Sequence, residues 1–103
     1  MIELVLLHRR ALDDLCLRFD VRRLELFGSA ASGRFDPASS DLDFLVEFQP
    51  ESSMGPFHQY IDFQLALEQL FGRSVDLVEH SAIRNPYFRQ AVERAPRTLL
   101  YAA

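Results

Sequence analysis

Phe27-Gly28-Ser29-Ala30-Ala31-Ser32-Gly33-Arg34-Phe35-Asp36-Pro37-Ala38-Ser39-Ser40-Asp41-Leu42-Asp43-Phe44-Leu45-Val46 is the stretch on which the reading of this chain turns. Its first residue closes a run, 21–27, in which Leu24 and Leu26 alternate with Arg23 and Glu25, so a strand is predicted that enters a tight turn at Gly28. Residues 41–48 alternate more strictly. Leu42, Phe44, Val46 and Phe48 fall on one face and Asp41, Asp43, Leu45 and Glu47 on the other, which predicts a second strand. The small residues between them, 29–40, predict a turn and a short helix followed by a loop.

Three features of this stretch carry chemistry. A Gly28-Ser29 pair after a strand and before a short helix offers backbone N–H groups, a hydroxyl and a helix N-terminus, the ingredients of a phosphate site. Asp41 and Asp43, two residues apart on a strand, send their carboxylates to the same side of a sheet, roughly 7 Å apart at the backbone. Aspartate is depleted in strands, and two like charges on one face repel unless a cation lies between them. The third feature is farther along: Asp76, in Val75-Asp76-Leu77-Val78, is the one charge in an otherwise apolar short strand. Three carboxylates are what a two-metal phosphoryl-transfer site commonly uses, and an all-oxygen set favours Mg²⁺ or Mn²⁺ over zinc.

Outward from these strands the periodicity changes. Residues 3–19 place Leu4, Leu7, Ala11, Leu12, Leu15, Cys16 and Phe19 at three- and four-residue steps, predicting one amphipathic helix. Pro56 is placed to start a second helix and Gly72 to end it, with Phe57, Tyr60, Ile61, Leu67, Leu70 and Phe71 on a broad apolar face. That helix is apolar nearly all round, more than one side of a small domain needs to bury, which predicts a dimer or hetero-complex surface. Residues 74–78 read as a strand, Asn85-Pro86 as the cap and first residue of a helix running to about Arg94, and 98–101 as a short edge strand. With no internal repeat and no long linker, residues 1–103 read as a single domain of α/β or α+β class.

Composition bounds the partners. A chain of 103 residues with 49% hydrophobic and 25% charged residues is a globular size and mixture. Its formal charge of −4 argues against gripping long nucleic acid, which takes a basic surface. A nucleotide is compatible, because metal ions supply the positive charge. Cys16 is the only cysteine, so no internal disulfide forms and the cytoplasm is the expected compartment. No leader is read at the N-terminus, and no run reaches the ~18–20 apolar residues of a membrane span. His8, His58 and His80 show no metal-ligand spacing and read as surface or helix-side residues, and Cys16 as core packing.

Phe27-Gly28-Ser29, the Ser40-Asp41-Leu42-Asp43-Phe44-Leu45-Val46 run and the later strand Asp76, in so short a chain, resemble the minimal, antitoxin-type branch of the polymerase β-like nucleotidyltransferases. Arg84-Asn85-Pro86-Tyr87 adds a weaker echo. The resemblance implies a nucleotidyltransferase fold, a small mixed sheet of three to four strands flanked by helices. It implies that Gly28 and Ser29 hold the β- and γ-phosphates of ATP. Asp41 and Asp43 would hold two Mg²⁺ or Mn²⁺ ions, and Asp76 the catalytic ion and the attacking hydroxyl. Where the family often has Ala-Arg-Gly after Gly-Ser, this chain has Ala31-Ser32-Gly33, and its spacer holds eleven residues instead of ten. Arg34, a neighbouring arginine, is expected to take the missing one's place at the triphosphate. The implied activity is transfer of AMP from ATP to a tyrosine of a HEPN-type toxin bound as a hetero-complex. A binding-only antitoxin with a weak site and a small-molecule nucleotidyltransferase are the alternatives.

Overall fold

The computed structural model describes residues 2–27, 42–80, 83–94 and 97–103. Two helices come first, α1 (Ile2–Leu7) and α2 (Arg9–Arg18), followed by β1 (Val21–Phe27) and β2 (Leu42–Phe48). After them come α3 (Pro56–Phe71), β3 (Val75–Glu79), α4 (Pro86–Arg94) and β4 (Arg97–Ala102). The strands form one mixed sheet in the order β3-β2-β1-β4. β1 is antiparallel to β2 and to β4, whereas β2 and β3 run parallel, joined by the crossover through α3.

The single helix expected over 3–19 is broken at His8. The His8 N–H bonds back three residues to the Val5 carbonyl at 3.1 Å, and its ring stands edge-on to Phe71 at 5.5 Å between centroids. This tighter turn rotates the preceding residues, so Val5 is buried while Leu7, expected inside, is 81% exposed. The other helices follow the sequence reading. Pro56 opens α3, and Gly72 ends it in the left-handed conformation at φ 65°. Asn85 caps α4, its Oδ1 accepting from the N–H groups of Tyr87 (2.9 Å) and Phe88 (3.2 Å).

One face of the sheet carries the main core. Leu24 and Leu26 of β1, Leu42, Phe44 and Val46 of β2, and Val75 and Leu77 of β3 pack against Leu12 and Cys16 of α2 and Phe63, Leu67 and Phe71 of α3. Phe44 stacks on Phe71 at 5.8 Å, and Gln59, itself buried, donates to the Phe19 carbonyl at 2.7 Å, tying α3 to the end of α2. On the opposite face a smaller cluster joins Leu45 to Ile83 and Val92, with Phe27 and Val78 at its edge.

Candidate active site

Strand alternation decides which side chains share the second face. With Phe44 and Val46 in the core, Asp43, Leu45 and Glu47 must point the other way, and the burial follows: Leu45 is 2% exposed beneath Ile83 and Val92, while Asp43 and Glu47 are half-buried on either side of it.

Across the strands this face is ordered in rows. In the first, Asp43 is the register partner of Phe27 on β1 and of Asp76 on β3. Partners on neighbouring strands lie about 4.8 Å apart and share a face, so the two carboxylates stand side by side. Asp43 is half-buried and already engaged by neighbouring groups, and Asp76 is exposed. The middle row is Glu25, Leu45 and Val78, of which Leu45 and Val78 pack with Ile83 and Val92 of α4. Beyond it, Arg23 faces Glu47, and Glu47 approaches the His80 imidazole at 3.7 Å.

Glu25 is the charged residue of this face that the sequence reading passed over. It is 8% exposed and is held by Arg23 at 3.1 Å and Arg97 at 3.7 Å. A carboxylate in mid-strand between Leu24 and Leu26 was the available signal, and its partner Arg97 is brought alongside only by the β1–β4 pairing.

Of the residues singled out from sequence, the structure brings Asp43 and Asp76 together. Gly28, Ser29, Arg34 and Asp41 lie outside the described residues, as do the turn and short helix expected over 29–40. Among the described residues, no group of three or more metal-ligating side chains converges. The donor set itself suits a hard divalent cation: two carboxylates at facing register positions, all oxygen, with like charges that a cation between them would reconcile.

A cleft of about 600 Å³ opens between the start of α3, the second half of β3 and the segment leading into α4, with Leu77, the residue after Asp76, in its wall. Phe57, Tyr60, Leu77, Val78, Ile83 and Phe88 line it, and Phe57 is 72% exposed. The Tyr60 hydroxyl donates to the Leu77 carbonyl. Burial, then the negative charges of Asp76 and Glu79, push the Tyr60 phenol above its usual range, so it stays protonated and a donor.

A mixed four-stranded sheet with a carboxylate pair facing across its parallel strands defines a class. The chain belongs to the nucleotidyltransferase domain family, whose model it matches over residues 8–97. It is 34% identical over 86 residues to MJ0128 of Methanocaldococcus jannaschii, assigned as a protein adenylyltransferase, covering 84% of this chain and 81% of that one. It is 38% identical over 68 residues to the protein adenylyltransferase MntA of Thermococcus cleftensis, covering 66% of this chain and 65% of that one. A solved minimal nucleotidyltransferase superposes with a TM-score of 0.72 at 34% identity, over 90% of each chain. An MNT antitoxin in complex with a tri-AMPylated Shewanella oneidensis HEPN toxin shares the fold, with a TM-score of 0.61 at 17% identity over 94% of this chain and 71% of that one. The chain is an enzyme of the nucleotidyl-transfer class, and its named relatives are protein adenylyltransferases. Among the described residues, no helix is long and apolar enough to cross a membrane.

Proposed function

We propose that this chain transfers AMP from ATP to a tyrosine hydroxyl of a partner protein, a HEPN-type toxin, and thereby silences it as an antitoxin in the cytoplasm. The observation that carries this reading is the register that sets Asp43 beside Asp76 across β2 and β3. The names of the relatives support AMP as the transferred group, and the AMPylated toxin complex of like fold supports the acceptor. The apolar cleft rimmed by Phe57, Tyr60 and Phe88 suits a protein acceptor, since exposed aromatic side chains around a concave surface favour protein contacts.

In this mechanism Gly28 and Ser29 would hold the β- and γ-phosphates, Arg34 would neutralise part of the triphosphate, and Asp41, Asp43 and Asp76 would hold two Mg²⁺ or Mn²⁺ ions. The ions, when bound, would supply positive charge to the phosphate oxygens, where negative charge builds as the phosphorus becomes pentacoordinate. Asp76 faces the incoming hydroxyl and accepts its proton. The hydroxyl oxygen then forms a bond to the α-phosphorus, the bond between the α-phosphorus and its bridging oxygen breaks, and pyrophosphate leaves. Glu25 is held between Arg23 and Arg97 and has no part in this step.

The test is the intact mass of proteins that co-purify with the chain from its native cells, wild type against the Asp41→Asn, Asp43→Asn double variant. A partner heavier by one or more AMP units with the wild type alone is the expected result. A partner that both forms bind and neutralise without any gain in mass would replace this reading with that of a binding-only antitoxin. With no partner recovered, a small-molecule acceptor takes its place.

A further inference from the structure

β3 is an edge strand. Among the described residues its one neighbour is β2, whose Leu42 N–H donates to the Ser74 carbonyl at 3.2 Å. Backbone groups alternate in direction along a strand, so Val75 and Leu77 turn theirs away from the sheet, where an edge is ordinarily left open or covered. Here it is covered by side chains of α3 spaced four residues apart, one above another on the helix. Glu68 Oε2 accepts from the Val75 N–H at 3.1 Å, Gln64 Nε2 donates to the Val75 carbonyl at 3.0 Å, and the Tyr60 hydroxyl donates to the Leu77 carbonyl. Each of these three backbone groups meets a side chain of opposite hydrogen-bonding character.

The residues so held, Val75 and Leu77, are those immediately before and after Asp76. Asp76 is exposed, so no packing of its own side chain fixes it, and it stands beside a like charge at Asp43. On its far side α3 is anchored by Phe63 and Leu67, both at 0% exposure. We propose that Tyr60, Gln64 and Glu68 form a positioning stripe that fixes the β3 backbone on both sides of Asp76 and so sets its carboxylate at the spacing from Asp43 that a divalent ion requires. The inference rests on the reading of Asp76 as a metal ligand. Outer groups that orient a ligand typically change metal affinity or activity by about 10–100-fold when removed.

The experiment is a Mn²⁺ titration followed by electron paramagnetic resonance in the presence of α,β-methylene-ATP, with the melting temperature of each variant measured alongside. Gln64→Leu and Glu68→Leu, which remove the donor and the acceptor, are expected to weaken Mn²⁺ binding about ten-fold or more. Glu68→Gln keeps an oxygen for the Val75 N–H and is expected to stay within about two-fold of the wild type, which rescues position without charge. Tyr60→Phe removes one hydroxyl and nothing else, and serves if the leucine variants fail to fold. Lower melting temperatures with unchanged Mn²⁺ affinity would reduce the stripe to an edge cover and overturn the proposal, as would a Glu68→Gln loss equal to that of Glu68→Leu. Asp76→Asn separates the two levels. If it binds Mn²⁺ as the wild type does, the metal reading of Asp76 falls; if it binds weakly while the stripe variants do not, only the positioning role falls.

Discussion

The two faces of the sheet are built from the same strands and obey opposite rules. Toward α2 and α3, Leu24, Leu26, Leu42, Phe44 and Val46 are all at 0% exposure. On the other face Asp43 and Glu47 are half-buried and Asp76 is exposed, and the apolar cover is confined to the small cluster over Leu45. Strand alternation thus puts the main core on the even positions of β2 and the carboxylates Asp43 and Glu47 on the odd ones, with Leu45 between them under its own small cluster. A slip of one residue would exchange the two sets, so the hydrophobic demand of the core face is also what holds Asp43 opposite Asp76.

The largest effect expected from this division is on the core face. Phe44→Ala empties a fully buried site stacked on Phe71, and should lower unfolding free energy by about 3–5 kcal/mol in urea titrations. A loss under about 1 kcal/mol would mean that the core face does not carry the fold as described.

A smaller effect is expected from pH, again on the core side. Burial, and then the charge of Asp13, push the Cys16 thiol up from 9.0 to about 12. The folded state therefore keeps a proton that the unfolded chain releases above pH 9. Stability owed to this group is complete below that pH and declines as pH rises toward 12, by on the order of 1 kcal/mol at pH 10. The difference in unfolding free energy between wild type and Cys16→Ala, followed from pH 8 to pH 10, isolates it, and a difference flat with pH would contradict the burial of the thiol.

Much of this division was legible in the amino-acid sequence, because alternation is a local property. Leu42, Phe44 and Val46 against Asp43, Leu45 and Glu47 needed only a period of two, and Gly72 and Asn85 marked helix ends by their own conformational chemistry. What could not be read depends on contacts distant in the chain. The break at His8 comes with a ring contact to the distant Phe71, and Glu25 is buried beside Arg97, which arrives on the last strand. Helix α3 shows the limit most clearly. Its apolar residues predicted a surface for a partner, and Phe57 and Leu65 are indeed exposed at 72% and 51%, but Tyr60, Gln64 and Glu68 have their use only once β3 lies beside them as an edge. That Asp76 would join Asp43 at one site was expected from the three-carboxylate pattern, but the register that sets them directly side by side follows from the parallel pairing and from nothing in either strand alone.

The smallest effect expected on stability is the sharpest test of the two-face division, because it concerns one residue and its neighbour. Leu77 is 3% exposed and belongs with Phe44, whereas Asp76, the residue before it, is exposed and faces a like charge. Like charges directly opposite each other on neighbouring strands destabilise the pair, and a surface substitution free of packing changes stability by no more than about 0.5 kcal/mol. Asp76→Asn should therefore leave the unfolding free energy unchanged or raise it slightly while removing nucleotidyl transfer, measured by calorimetry and by transfer of label from ATP to the partner. A loss of stability comparable to that of a core substitution would show that Asp76 is part of the scaffold. The face that carries it would then be a second structural surface, and the carboxylate pair a consequence of folding with no share in the chemistry.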